Sequence, residues 1–285
     1  MPRFKLTIEY AGTRYSGWQI QKNARTIQGD IDAAVRTVTG RKDFELYGSG
    51  RTDAGVHALG QVAHLDVSTN LSAETLRLQL NAALPSEINI LAAVQVPHRF
   101  HARHHAVARR YRYQIARRRT SDNACVWWVK ERLDIDAMRE AARAFVGMRD
   151  FRSFTAADAR DDAGETPAST LVLVDHLEII EDGDLILVSI QGSHFLWKMV
   201  RRIVGVLVEV GRGELPPDAV RAFLAEGSTA PARLTAPPSG LFLERVYYEG
   251  DPQDAPARAA PPLPPSPAPQ KPSGVGRRGH HKHKA

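Results

Sequence analysis

The chain switches repeatedly between two hydrophobic periods, and that switching limits the folds open to it. Phe4, Leu6, Ile8 and Tyr10 alternate with Lys5, Thr7 and Glu9, the period of a strand with one buried face. Ile27, Ile31, Ala34, Val35 and Val38 then fall on one side of a 3.6-residue period, with Thr26 placed to cap a helix and Gly40 just past its end. Further strands are expected near 44–47 and at 61–67 and 88–96, with a helix over 72–82. From Arg110 the pattern starts again. Residues 110–115 read as a strand, and Ile135, Met138, Ala142, Phe145 and Val146 as a helix stripe. The apolar runs 171–180 and 185–190 form a hairpin through Glu181-Asp182-Gly183-Asp184, where Asp-Gly is the turn signal. A helix over 195–210, a shorter one after Pro216-Pro217 and a closing strand over 241–248 complete the series. Paired strands with crossing helices in both halves predict an α+β fold of two related lobes, with mixed and antiparallel sheets packed against helices. The expected units are 1–109, 110–250 and a tail, 251–285.

That tail holds half of the chain's 18 prolines, and six basic residues against two acidic ones, so it carries four of the six net positive charges. It is expected to be disordered, as the polar, aperiodic stretch 156–169 is expected to be an exposed loop. The body is therefore nearly balanced in charge. A nucleic-acid surface on it requires basic residues gathered on one face. The one cysteine, Cys125, excludes an internal disulfide and any multi-cysteine metal centre, which fits a reducing compartment, with the cytoplasm as the expected location. No apolar run has the length of a signal peptide or membrane span, so no membrane partner is expected.

Chemistry concentrates in Tyr47-Gly48-Ser49-Gly50-Arg51-Thr52-Asp53-Ala54-Gly55-Val56-His57. Its three glycines and small residues make it a loop after a strand, a frequent place for catalytic side chains. Arg51 and Asp53 project to one side of extended backbone and are placed to pair. A paired aspartate stays ionised, as a nucleophile must. The alternative is a turn in which Asp53 satisfies backbone amides. The stretch from Arg99 to Tyr113 interleaves cations with rings, as RNA-binding surfaces do, or else is a solvated basic edge strand. Around 195–205, Phe195, Met199, Val200, Ile203 and Val204 make an apolar stripe, with Lys198, Arg201 and Arg202 opposite. This is either a helix presenting a basic face to a groove or an ordinary amphipathic surface helix. His57, His64 and Asp66 are poorly spaced for a metal, and His101, His104 and His105 suit a surface or RNA contact better, so no catalytic metal is expected.

Taken together these segments resemble the tRNA pseudouridine synthase A family. The resemblance rests on Tyr15-Ser16-Gly17-Trp18-Gln19, Gly50-Arg51-Thr52-Asp53-Ala54-Gly55-Val56-His57, Gly60-Gln61-Val62-Ala63-His64, Phe100-His101-Ala102-Arg103, Ala108-Arg109-Arg110-Tyr111-Arg112-Tyr113, Met199-Val200-Arg201-Arg202-Ile203-Val204-Gly205 and Gly240-Leu241-Phe242-Leu243, in family order up to about residue 250. It implies a homodimer of two-lobed subunits, each with a central RNA-binding cleft that accepts the anticodon arm of tRNA, acting on uridines 38 to 40 without a cofactor. Asp53 matches the family's catalytic aspartate, Tyr111 the tyrosine that packs on the target base, Arg51 the arginine beside the aspartate, and Leu243 an apolar residue of the closing strand. Arg201 and Arg202 are further expected substrate contacts. Ala168 stands where many members carry a basic residue, and the tail lies beyond the family core. Two rival readings are a non-catalytic tRNA-binding or folding protein and a metal-dependent nuclease using Asp53, His57 and Asp66.

Overall fold

A computed structural model describes residues 1–119, 124–156 and 169–252; the tail from 253 and most of the expected loop at 156–169, Ala168 included, lie outside them. Near the N-terminus, β1 (Arg3–Tyr10) buries every second side chain, as its alternation requires. The helix α1 (Ile27–Thr39) starts where Thr26 Oγ1 accepts the Gly29 amide at 3.2 Å and stops at Gly40, whose φ of 67° is left-handed. Then come β2 (Glu45–Gly48), β3 (His57–Asp66), α2 (Ala73–Ala83) capped by Ser72, and β4 (Ile88–Val96). Phe4, Leu6 and Ile8 share a core with Ile27, Ile31, Val35, Leu76 and Leu80. Each such side chain contributes roughly 1.5–3 kcal/mol by leaving water.

The second half contains β5 (Ala106–Ala116), β6 (Trp127–Trp128), α3 (Ile135–Ala142), β7 (Gly147–Asp150), β8 (Leu171–Asp182), β9 (Leu185–Gly192), α4 (Met199–Gly211), α5 (Ala219–Glu226), α6 (Ala230–Arg233) and β10 (Leu241–Tyr248). Its core joins Tyr113, Val172, Val174, Val188 and Ile190 to Met138, Phe145, Ile203, Val204 and Leu207.

The halves do not carry separate sheets. All ten strands among the described residues form one, in the order β4-β1-β3-β10-β5-β9-β8-β7, with β2 added to β3 and β6 to β5. The last strand, β10, returns to the middle. It lies parallel to β3 (Phe242 opposite His57, Leu243 opposite Ala58) and antiparallel to β5 (Leu243 opposite Tyr111). β2 pairs with β3 only at residues 63–66 and β10 only at 57–58. The segment joining β2 to β3, which holds Asp53, therefore returns to β3 beside the start of β10.

Two expectations are corrected here. The strand containing Arg110 and Arg112 is central rather than an edge, and both arginines are buried. Arg110 donates to Gln191 Oε1 at 3.0–3.1 Å, and Arg112 pairs with Glu244 of β10. Neither is free to meet phosphate. The helix expected from residue 195 begins only at Met199, because Lys198 takes a left-handed conformation (φ 59°) that no α-helix continues through.

Candidate active site

The loop from Ser49 to Val56 is held at nearly every residue. The Ser49 amide donates to Val62 O at 2.7 Å and its hydroxyl to Gln61 Oε1 at 2.7 Å, while Gln61 Nε2 donates to Gly50 O at 3.0 Å. Thr52 shares a buried 2.8 Å hydrogen bond with the Tyr10 hydroxyl, and its carbonyl accepts the Trp18 amide at 3.1 Å. Gly17 permits this approach: its φ is +95°, and a Cβ there would lie 2.5 Å from Thr52 O. On the far side of Asp53, the Gly55 amide donates to Tyr15 O at 3.2 Å. The three glycines in the sequence thus mark a loop fixed from both sides, with Asp53 half-buried between them.

The cation paired with Asp53 is Arg201, not Arg51. Arg201 Nη1 lies 3.3 Å from Asp53 Oδ2, while its Nε donates to Ala236 O at 2.7 Å, which fixes the direction of the guanidinium. The Ala236 amide in turn donates to Arg201 O at 3.0 Å. Arg51 is exposed and makes no hydrogen bond or ion pair among the described residues. Tyr111 stands on β5 directly opposite the buried Leu243 of β10. Burial pushes the Tyr111 hydroxyl up to about 12, opposed by the charge of Arg109 and assisted by that of Asp53, so the phenol stays neutral. Phe195 meets the Tyr111 ring edge-to-face at 5.2 Å. Asp53 and Arg201 thus meet from a loop and a helix, Tyr111 and Leu243 face each other across β5 and β10, and the charge of Asp53 reaches the Tyr111 hydroxyl.

Arg202 does not join them. It is buried, its guanidinium donates to the Thr155 carbonyl, and burial lowers its pKa, so it anchors the turn at 152–155 instead of facing a substrate. Tyr113 is likewise internal, its hydroxyl donating to Pro237 O at 2.7 Å.

One site residue was invisible in the sequence. Arg109 donates to four carbonyls: Ser49 at 3.2 Å, Arg103 at 3.0 Å, Ala106 at 3.3 Å and Ser193 at 2.8 Å. It ties the start of the Asp53 loop to the segment that leads into α4 and Arg201. Its place in an arginine-rich run gave no signal of this, since carbonyls 60 and 84 positions away in opposite directions are its partners.

The histidines have other work. His57 is buried, with Nδ1 accepting the Gly12 amide at 3.2 Å and Nε2 at 3.0 Å from Ala124 O, and its ring stacks on Phe242. His64 Nδ1 accepts the Ala102 amide at 3.2 Å. Asp66 is engaged by Arg3. The described residues contain no group of three or more His, Cys, Asp or Glu arranged to hold a metal ion. No helix among them is long and apolar enough to cross a membrane.

Comparison with known proteins follows the same segments. A family model described as tRNA pseudouridine synthase matches residues 6–105 and 141–249. The chain is 44% identical over 253 residues to a tRNA pseudouridine synthase A of Rhodopseudomonas palustris strain BisA53, an alignment that spans 87% of this chain and all of that protein. It is 42% identical to its counterpart in Bradyrhizobium sp. strain BTAi1 and 43% to that of Geotalea uraniireducens, with 87% of this chain and the whole relative aligned each time. A match of that breadth, in the order of the loop, strand and helix that meet at Asp53, places the chain in the tRNA pseudouridine synthase family.

Proposed function

We propose that this protein isomerises uridine to pseudouridine at positions 38, 39 and 40 in the anticodon stem-loop of tRNA, with Asp53 as the catalytic carboxylate. It works as a homodimer in the cytoplasm, its tail contributing nothing to the chemistry. The observation that carries the reading is a partly buried carboxylate, charge-paired with Arg201, whose charge reaches the hydroxyl of Tyr111, the residue opposite Leu243.

The reaction explains these residue types. The N1–C1′ bond breaks, the detached uracil turns, and C5 bonds to C1′; C5 gives up a proton and N1 takes one, so nothing is added or lost. No redox or group-carrying cofactor has a part in such a balance. Asp53 acts as nucleophile toward C1′ or C6, or removes the C2′ proton. Arg201 keeps it aimed. To be reached, the uridine leaves its stack at a cost of a few kcal/mol, and the Tyr111 ring and Leu243 form the apolar wall that holds it. Arg51, exposed on the loop crest, occupies the space the base leaves.

The test is conversion of an unmodified tRNA with uridine at 38, 39 and 40, by wild type and Asp53→Asn in parallel, in excess EDTA. Conversion by wild type and none by a mutant that still binds is the expected result. Binding without conversion by wild type would make this a tRNA-binding protein on the same scaffold, and loss of activity in EDTA would restore a metal mechanism.

A further inference from the structure

Resting on that reading, we propose a second base-binding position: Trp197, with Lys198, stacks an unpaired RNA base next to the target uridine and holds the phosphate beside it.

Trp197 is 51% exposed, the most open phenylalanine, tyrosine or tryptophan among the described residues. A tryptophan this open, in a segment this well fixed, calls for a partner. The segment is not a loose loop. Ser193 is held by Arg109 through its carbonyl and by Leu173 O through its amide (2.9 Å), the Met199 amide closes a turn onto Leu196 O at 3.1 Å, and Lys198 O accepts the Arg202 amide at 3.0 Å. Two residues before Trp197, Phe195 packs on Tyr111; four residues after it, Arg201 touches Asp53. The open ring is therefore fastened to the rim of the site.

Lys198 adds a charge. Its left-handed backbone is one of two such non-glycine positions among the described residues, and it brings Nζ to 4.1 Å from the centroid of the Trp197 ring. Strain of this kind at a lysine persists where the surroundings hold it, and it gathers at ligand-contacting sites. Among the described residues Lys198 has no acidic partner. A flat apolar face with an unneutralised ammonium against it matches a nucleotide: base on the ring, phosphate on the cation. Removing one uridine from an RNA stack leaves its neighbour's face bare, and Trp197 covers that face.

The experiment uses an anticodon stem-loop RNA with uridine at 38–40, the wild-type protein and Trp197→Ala, Trp197→Phe and Lys198→Ala. Trp197→Ala is expected to weaken RNA binding about tenfold while leaving kcat within about twofold, and Trp197→Phe to retain most of the affinity. Lys198→Ala is expected to reduce the slope of log affinity against log salt by about one. RNA is expected to quench the fluorescence of wild type, and to do so less in Trp197→Phe. An abasic nucleotide next to the target costs wild type affinity but costs Trp197→Ala none, which separates stacking from a merely structural role. Equal affinity of wild type and Trp197→Ala, or an undiminished quench in Trp197→Phe, overturns the proposal while conversion by wild type leaves the main function standing. If wild type neither binds nor converts the RNA, both fall.

Discussion

Arg201 reaches Asp53 from 148 positions away, and the Ala236 carbonyl decides where its guanidinium points. The pair lies 3.3 Å apart at a partly buried spot, where charge orientation is worth more than it is in water. Arg201→Met leaves Asp53 in place without its aim. Single-turnover kinetics are expected to show a drop on the order of 10²-fold in the rate of conversion, with RNA affinity changed far less, since misplacement of about 1 Å has that effect.

Arg109→Lys tests whether the four carbonyls need a guanidinium. An ammonium has three donors on one atom and cannot span Ser49, Arg103, Ala106 and Ser193 together. At least one of those carbonyls loses its partner, and urea unfolding should show a loss of about 2 kcal/mol. The rate should fall about tenfold at unchanged KM. A substitution that lowers stability but leaves kcat intact would show that the clamp is structural alone.

Gly205→Ala should disturb the site from inside the helix. A Cβ at Gly205 would lie 1.5 Å from Leu234 O, so α4 and the 234–236 segment must part. That segment is the one that orients Arg201 through Ala236. Overpacking of this kind costs about 3 kcal/mol, readable as a lowered denaturation midpoint. Because the displaced segment carries Ala236, whose carbonyl and amide hold Arg201, activity of the folded fraction should fall as well.

His64 sets an acid limit on stability. Burial and the nearby cation Arg3, with His101 and His98, push its pKa down to about 4, and only Asp66 opposes them. The folded state therefore binds its proton less readily than the unfolded chain does. The stabilisation is fully present above the unfolded value of about 6.5 and is lost as pH falls toward 4. Allowing for screening by solvent, the loss is about 2 kcal/mol. In His64→Asn the amide oxygen can still accept the Ala102 amide but does not titrate. Urea midpoints at pH 7 and pH 4.5 should fall less in this variant than in wild type.

The sequence made legible what is local. The ends of α1 rest on Thr26 and Gly40, within a few residues of what they cap, and the fixed loop around Asp53 was marked by its own glycines. Asp53's true partner was hidden, since the nearest arginine by position, Arg51, turns to solvent and the one that pairs is on α4, in the other half of the chain. Charge misled at Arg110, Arg112 and Arg202. Each reads as surface, yet Gln191, Glu244 and the Thr155 carbonyl give them company inside, and no local pattern announces a partner so distant. The apolar stripe through Phe195 continues the helical period into a turn, because Phe195, partly buried, packs its ring against Tyr111 for reasons unrelated to helix formation. That one sheet serves both halves follows from where the last strand goes, which its composition does not encode.

The return of β10 to the centre of the sheet also sets a clock on synthesis. Phe242 pairs with His57 across 185 positions of chain, the kind of distant contact that forms late and slowly. While the ribosome is still making α5, the Asp53 loop already exists, and so does Arg201, but Leu243 has yet to close the wall opposite Tyr111. A growing chain thus carries Asp53 and Arg201 before Leu243 stands opposite Tyr111. That wall is complete only when β10 is threaded between β3 and β5, so under the proposed function activity is a report that the sheet has closed.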